Sequence, residues 1–459
     1  MYEHLPVGLQ NMVCSLVGRS INRNRYAPEY GQLLKGYLER IKYNPTELKQ
    51  FVQGELFRFV WHATQTVPYY RRMVFNLGLS SDAIRSLKSL EDLPILTKPQ
   101  VQANLKALRS DSISPKDIFM HHTSGTTGTG LVFPSTYKAQ RHQWAVWWRY
   151  RFALGIRFDM WCGIFGGRLV VPRAQQKPPF WRVNRPGRRV IFSGYHLRPE
   201  WMGAYVDEIK RRGLTWLHGY PSHLTLLARY VQENNVHFNP AIQFVTTGAE
   251  SLLEHQRLAI SQALGCPVYQ HYGLAEAVAN VSECSFGTLH VDEDFSMVEF
   301  VPLPQSGTFR IIGTNFTNDA FPLLRYDTGD IAYGVHESNN CACGRAGRTV
   351  DRIDGRVEDC IVLKDGTRVG RLDHILKDMV HVREAQFVQK GPGKLTLRLV
   401  RGAEFSEATE QEIRNESIHR LGRDLDLSFE YHDQLPRTGT GKLRFVVNEL
   451  EQDKSASSP

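Results

Sequence analysis

The sequence predicts a two-part α/β protein. Residues 1–354 form a large body of mixed and parallel sheets with helices, and residues 355–459 form a small α+β domain. Three observations carry this. The chain has 459 residues, whereas domains cluster near roughly 100–200 residues. Between about residues 120 and 350, short apolar runs alternate with stretches of helical period. Ile242 to Val245 reads as a buried strand, Leu252 to Leu264 as the helix after it and Pro267 to Gln270 as the next strand, and that spacing argues for parallel pairing. After residue 355 the texture changes to hairpin signals.

The elements follow in chain order. Residues 30–66 read as two helices. Leu33, Leu34, Tyr37, Leu38 and Ile41 keep a helical period, and Asn44-Pro45 then offers an N-cap with proline at the first helical position. Leu48, Phe51, Val52, Leu56, Phe57 and Val60 continue the second helix as core residues. Thr308 to Ile312 is another strand. In the C-terminal part, Cys360 to Lys364 and Thr367 to Gly370 flank Asp365-Gly366, a two-residue hairpin signal. Ala385 to Gln389 and Lys394 to Val400 flank a Gly-Pro-Gly turn, Ser406 to Leu421 is helical, and Leu427 to Tyr431 is a short strand.

Composition narrows the class. Hydrophobic residues make up 42% and charged residues 22%, which excludes collagenous, disordered and disulfide-stapled chains. No stretch approaches the ~18 consecutive apolar residues of a membrane span. Glu3 and the polar breaks at Gly8, Gln10, Asn11 and Ser15 do not read as a secretory signal. Seven scattered cysteines fit a reducing compartment, so the expected location is cytoplasmic. Of the net charge of +9, residues 149–212 alone carry 14 − 4 = +10. Such a region attracts polyanions such as nucleotides or coenzyme A, or is a solvated face. Nucleic acid is not an expected partner. The stretch Leu5 to Val17, followed by Arg19, Arg23 and Arg25, is weakly amphipathic; docking on the protein's own body is the expectation, with peripheral membrane contact as the alternative.

Six motifs carry chemistry. Thr123-Ser124-Gly125-Thr126-Thr127-Gly128-Thr129-Gly130 bares backbone N–H groups and hydroxyls, the donors a polyphosphate needs; without Gly-Lys-Ser/Thr it is not a Walker A loop. Gly248-Ala249-Glu250 and His271-Tyr272-Gly273 with Glu276 each follow an expected parallel strand, where ligands gather in open α/β sheets. Tyr272 can stack on a base, and Glu276 can hold a divalent cation. Asp330, in Arg325-Tyr326-Asp327-Thr328-Gly329-Asp330, can accept from ribose hydroxyls. Arg356 and Glu358 stand at the domain boundary, and Lys442 in a Gly/Thr-rich loop near the end.

The order and spacing of these motifs resemble the adenylate-forming superfamily of acyl-CoA synthetases, nearest its phenylacetate-CoA ligases and the CapK-like proteins of polysaccharide gene clusters. The likeness runs from Val67-Pro68-Tyr69-Tyr70 and Leu93-Pro94-Ile95-Leu96-Thr97-Lys98 to Lys442. The resemblance implies that Thr123 to Gly130 handles the β,γ-phosphates of ATP and that Gly248, Ala249 and Glu250 line the adenine. It makes Tyr272 the stacking aromatic, Glu276 the Mg²⁺ ligand, Asp330 the ribose aspartate and Arg356 a partner of ribose or phosphate. Glu358 falls on the hinge position, where the family usually has aspartate, and Lys442 joins carboxylate and α-phosphate during adenylation. The loop ends in Thr129-Gly130 where many members have Lys-Pro, so one cation near pyrophosphate is missing.

The implied activity is ATP-dependent, AMP-forming ligation of a carboxylic acid, with coenzyme A as the expected acceptor. An amine, such as an amino sugar, or a carrier-protein thiol is the rival acceptor, and a silent nucleotide-binding scaffold is a reading from another class. Tyr220, Pro221 and Ser222 resemble a segment beside the acyl group, with His271 as a further candidate. Seven of eight tryptophans lie within residues 144–216, either an aromatic wall for an aryl or compact acid or core packing. Cys284, His290, Cys341 and Cys343 are a three-thiolate, one-imidazole set typical of closed structural zinc, and the phenylacetate-CoA ligase branch has a similar pattern.

Overall fold

The computed structural model describes residues 2–79, 87–122, 131–250, 252, 254–303, 307–337, 341–354, 361–366, 368–369, 372–376, 381–402, 404–433, 435–436 and 446–449. A sheet of twelve strands organises the body. Its order is Ser296–Pro302, Thr308–Asn315, Tyr326–His336, Thr349–Asp354, Leu289–Val291, Asn280–Glu283, Val268–Gly273, Phe244–Thr247, Trp216–Gly219, Cys162–Gly166, Arg189–Ser193 and Trp181–Asn184. The strands from Val268–Gly273 to Arg189–Ser193 are parallel; the rest of the sheet pairs antiparallel. The reversal falls between Val268–Gly273 and Asn280–Glu283, so Tyr272 sits where parallel sheet meets antiparallel.

Local chemistry sets the element ends. The helix Pro45–Thr66 opens on a capping box: Asn44 Oδ1 accepts from the Thr46 and Glu47 amides at 2.9 and 3.0 Å, and Glu47 accepts back from the Asn44 amide at 2.9 Å. Its buried face of Leu48, Val52, Leu56, Phe59 and Val60 packs with Phe316, Phe321 and Tyr326. The predicted strand and helix of residues 242–270 are present as Phe244–Thr247, Glu254–Leu264 and Val268–Gly273. The helix Val7–Arg25 seats on the edge strand Trp181–Asn184. The Val183 amide donates to Asn11 Oδ1 at 2.8 Å, and Arg182, fully buried, donates to Gln10. Leu9, Met12, Leu16 and Val17 stay exposed on its other face. No described helix is long and apolar enough to cross a membrane.

Beyond Asp354 the chain builds a four-stranded sheet ordered Asp426–Tyr431, Lys394–Arg401, Val382–Gly391 and Val446–Asn448, with the helix Glu407–Leu421 capped by Ser406. Residues 382–401 form the expected hairpin. The Asp365-Gly366 pair closes differently from expectation. Ile361–Val362 pairs Arg368–Val369 with the last register at Val362 and Arg368, so five residues connect the strands rather than two. Gly366 takes the left-handed conformation that such a turn needs (φ +79°).

Candidate active site

Three adjacent parallel strands deliver their carboxyl ends to one cavity of about 300 Å³. Gly219 and Tyr220 come from the first, Gly248 and Ala249 from the second, and His271 and Gly273 from the third. Gly219 is required: a Cβ there would lie 2.3 Å from the Phe165 carbonyl, which accepts from the Tyr220 amide at 2.9 Å. Ala249 holds φ +69°. That strained conformation in a non-glycine residue persists only when its surroundings over-determine it, and such residues cluster at binding sites.

His271 is held from behind. Asn280 Nδ2 donates to the buried Asp292, so Asn280 Oδ1 is turned outward, where it accepts from Trp147 Nε1 at 3.1 Å and pairs with His271 Nε2 at 2.9 Å. The amide oxygen can only accept, so Nε2 carries the proton and Nδ1 keeps its lone pair. Burial, with Arg151 nearby, pushes His271 down to about 4. His218 is pushed down to about 3 by burial, then by Arg151 and Arg189. Both rings are neutral at pH 7. Asp292 is drawn the other way: burial alone would raise it, but Arg345 and Arg149 hold it at about 2.

A second group lies at the sheet reversal. Tyr272 Oη donates to Asp330 Oδ2 at 2.7 Å. The loop before Asp330 is pinned from outside: the Leu96 amide donates to the Arg325 carbonyl at 2.8 Å, and the Asp327 amide to the Leu96 carbonyl at 2.9 Å. Arg325, at φ +51°, spends its guanidinium on Glu299 and on the Glu91 and Leu93 carbonyls. Asp327 Oδ1 accepts from the Gly329 amide at 3.0 Å, and Thr328 Oγ1 from the Asp330 amide at 3.1 Å. The two motif segments around Leu96 and Arg325 are therefore zipped together, and they aim Asp330. Glu276 is 4% exposed and has no ion pair among the described residues, a carboxylate that suits a divalent cation.

The expected residues thus divide. Tyr220, Gly248, Ala249, His271 and Gly273 share the cavity; Tyr272 and Asp330 touch each other; Glu250, Glu276 and the buried Pro221 do not line the cavity. Thr123 to Gly130, Arg356, Glu358, Lys442 and the Ser222 side chain lie outside the described residues. The strands Ile118–His122 and Val132–Thr136, which flank the Gly/Ser/Thr loop, pair antiparallel. Sequence reasoning missed Tyr150, His218 and Asn280. It saw Arg151 and Arg168 only as members of a charge run. The aromatic wall is largely core instead: Trp147 alone of the seven lines this cavity among the described residues, while Trp161, Trp181 and Trp201 pack in the strand–helix core.

Cys284, His290, Cys341 and Cys343 converge, with all four donor atoms within 4.8 Å of one another. Sγ of Cys284 and Cys341 are 3.6 Å apart, and Cys343 Sγ lies 3.3 Å from His290 Nε2. A tetrahedron with Zn–S of about 2.3 Å and Zn–N of about 2.0–2.1 Å has edges of roughly 3.6–3.8 Å, so the set fits that ion. Burial and the neighbouring thiols push Cys343 up to about 11, while hydrogen bonds, led by Thr288, outweigh burial and draw Cys341 below its ordinary value.

The family model for the CapK C-terminal domain matches residues 361–449. Protein CapK of Staphylococcus aureus is 24% identical over 98% of this chain and 99% of its own length. Phenylacetate-coenzyme A ligase of Thermus thermophilus is 25% identical over 90% of this chain and 99% of its own. Over nearly its whole length the chain is similar to CapK and to phenylacetate-CoA ligase. Its fold is shared with 2-hydroxyisobutyryl-CoA ligase in complex with 2-HIB-AMP and CoA, at TM-score 0.57 and 19% identity over 91% of this chain and 94% of that one. The antiparallel half of its sheet carries the cysteine–histidine cluster beside the strand that holds Asp330.

Proposed function

We propose that this ligase activates a carboxylic acid as an acyl adenylate, releasing pyrophosphate from ATP, and then passes the acyl group to the thiol of coenzyme A. The observation that carries the reading is the convergence of Tyr220, Ala249 and His271 on one cavity at the carboxyl ends of three parallel strands, beside the Tyr272–Asp330 pair. In this reading Tyr272 stacks on adenine and Asp330 accepts from the ribose hydroxyls. Gly248 to Glu250 lines the base, and Thr123 to Gly130 cradles the β,γ-phosphates. Glu276 holds Mg²⁺, which when bound neutralises phosphate charge so that one anion can attack another. Lys442 supplies the cation between carboxylate and α-phosphate, with Arg356 on ribose or phosphate and Glu358 at the hinge of the residue 355–459 domain.

The test is carboxylate-dependent ATP–pyrophosphate exchange across aryl, aliphatic and amino acids. Lys442→Ala and Glu276→Ala are each expected to lose roughly 10²–10³-fold, the scale of removing one electrostatic contact to developing charge. Exchange at the wild-type rate in both variants would overturn the assignment. The near full-length match to CapK supports a second acceptor, an amine such as an amino sugar, or a carrier-protein thiol. Product analysis with each acceptor decides between them, because the first reading requires a CoA thioester.

We also propose that Cys284, His290, Cys341 and Cys343 hold a structural zinc that ties the 341–343 segment to the sheet. No position is left open, so the ion takes no part in chemistry. Elemental analysis of the purified protein is expected to give one zinc per chain, and Cys343→Ser to lose the metal and melt at lower temperature. A metal-free protein with unchanged melting after chelation would exclude it.

A further inference from the structure

We propose that the acid taken by this cavity carries a second anionic group, bound by Arg151. The proposal rests on the adenylation reading for what happens to the first carboxylate, but the anion site itself stands on separate observations. Among the described residues the cavity wall contains two arginines, Arg151 and Arg168, and no aspartate or glutamate. Its two histidines, His218 and His271, are neutral.

Arg151 is 8% exposed on the helix Tyr137–Ala153, and no carboxylate pairs with it among the described residues. Its Nη1 has no hydrogen-bond partner there. Rings of Trp144, Trp148 and Trp216 lie 5.1–5.5 Å from its guanidinium carbon. Such contacts recover about 0.5–2 kcal/mol each, but they satisfy the charge without engaging the N–H groups. The contrast with Arg149, two residues earlier, is direct: that guanidinium is bonded to both Asp292 and Asp294.

Further positive charge surrounds Arg151. Arg189, at the start of the strand Arg189–Ser193, lies near enough to depress Arg151 after burial has done so, and its guanidinium sits 5.5 Å from the Trp144 ring. Arg25, also 8% exposed and with Nε unpartnered, lies 3.4 Å over that same ring. A buried cation without a counter-ion costs several kcal/mol, and Arg151 is the member of this cluster that lines the cavity. Tyr150 Oη, on the same wall, is buried and likewise without a partner. Guanidinium and phenol are complementary to a carboxylate, phosphonate or similar group.

The experiment compares acids matched in length but not in charge: succinate with butyrate, glutarate with valerate, and 3-carboxyphenylacetate with 3-methylphenylacetate. 3-Phosphonopropionate separates carboxylate from phosphonate as the second group. Binding is read by calorimetry and tryptophan fluorescence on the full chain with ATP and Mg²⁺, and activity by pyrophosphate exchange. At least one dianion is expected to bind roughly 10–100-fold more tightly than its monoanionic match, the scale of a charged hydrogen bond. Arg151→Gln should bring that ratio close to one through KM; should this variant not fold, Arg189→Gln should lower the ratio. Monoanions binding as well as or better than every dianion, or no dianion binding at all, would overturn the proposal. Dianion binding without exchange would keep the anion site and overturn adenylation; exchange with monoanions alone would do the reverse.

Discussion

Asp292→Ala should destabilise the protein by roughly 3–5 kcal/mol, the range for removing one partner of a buried ion pair. Asp292 is fully buried and accepts from four donors: Arg149 at 2.6 Å, Ser282 Oγ at 3.1 Å, and Arg345 and Asn280. Alanine leaves all four without that acceptor in a site from which water is excluded. Asp294 still pairs with Arg149 and Arg40, which keeps the loss from exceeding the range. The change also reaches the cavity, because Asn280 loses the bond that turns its oxygen toward His271 and Trp147. Denaturant melting is the check, with pyrophosphate exchange alongside. Asp292→Asn keeps the shape but not the charge and should recover only a minor part. An unfolding midpoint equal to wild type would sink the account.

Acidification should unfold the protein well above the carboxylate range. Burial, the largest cause in each case, pushes His142 and His218 down to about 3 and His196, His223 and His271 down to about 4. The ordinary value is about 6.5. Folded values are depressed, so between about pH 4 and 6.5 the unfolded chain binds more protons than the folded one, and stability rises with pH across that window. It is fully present above about 6.5 and is lost as pH falls toward the folded values, at about 1.4 kcal/mol per pH unit for each histidine. At pH 5 unfolding should take up roughly four to five protons through these residues. Thermal melts at pH 7, 6 and 5 read this directly. A melting temperature unchanged between pH 7 and 5 would show that these rings are not held neutral.

Residue types forced by local backbone or donor geometry were legible in the chain. The Asn44-Pro45 cap and the Gly-Pro-Gly hairpin follow from satisfying orphan amides or permitting φ > 0, and they are present as expected, as is the helix expected from Ser406 to Leu421. The parallel strands around Phe244–Thr247 were legible from alternation of apolar runs with a helix. The cysteine–histidine set was legible because thiolates and imidazole in that number have few other uses. The Asp365-Gly366 hairpin was misjudged: the dipeptide signals a turn, but which residues close it depends on strand pairing beyond the turn.

Charge pairing was not legible. Arg149 and Arg151 are two residues apart in a run of basic residues, and nothing in their neighbours separates them. One faces Asp292 and Asp294, brought from more than 140 residues away by the antiparallel strands. The other lines a cavity at the carboxyl ends of parallel strands, where no acid arrives among the described residues. The same holds for the tryptophans, which composition groups together and packing distributes, and for Asn280, whose two ends are assigned only by Asp292 behind it and His271 in front. Local conformational demands act over a few residues and leave a signature in sequence. Whether a buried charge has a partner depends on which strands the sheet places side by side, and that is a property of the folded chain alone.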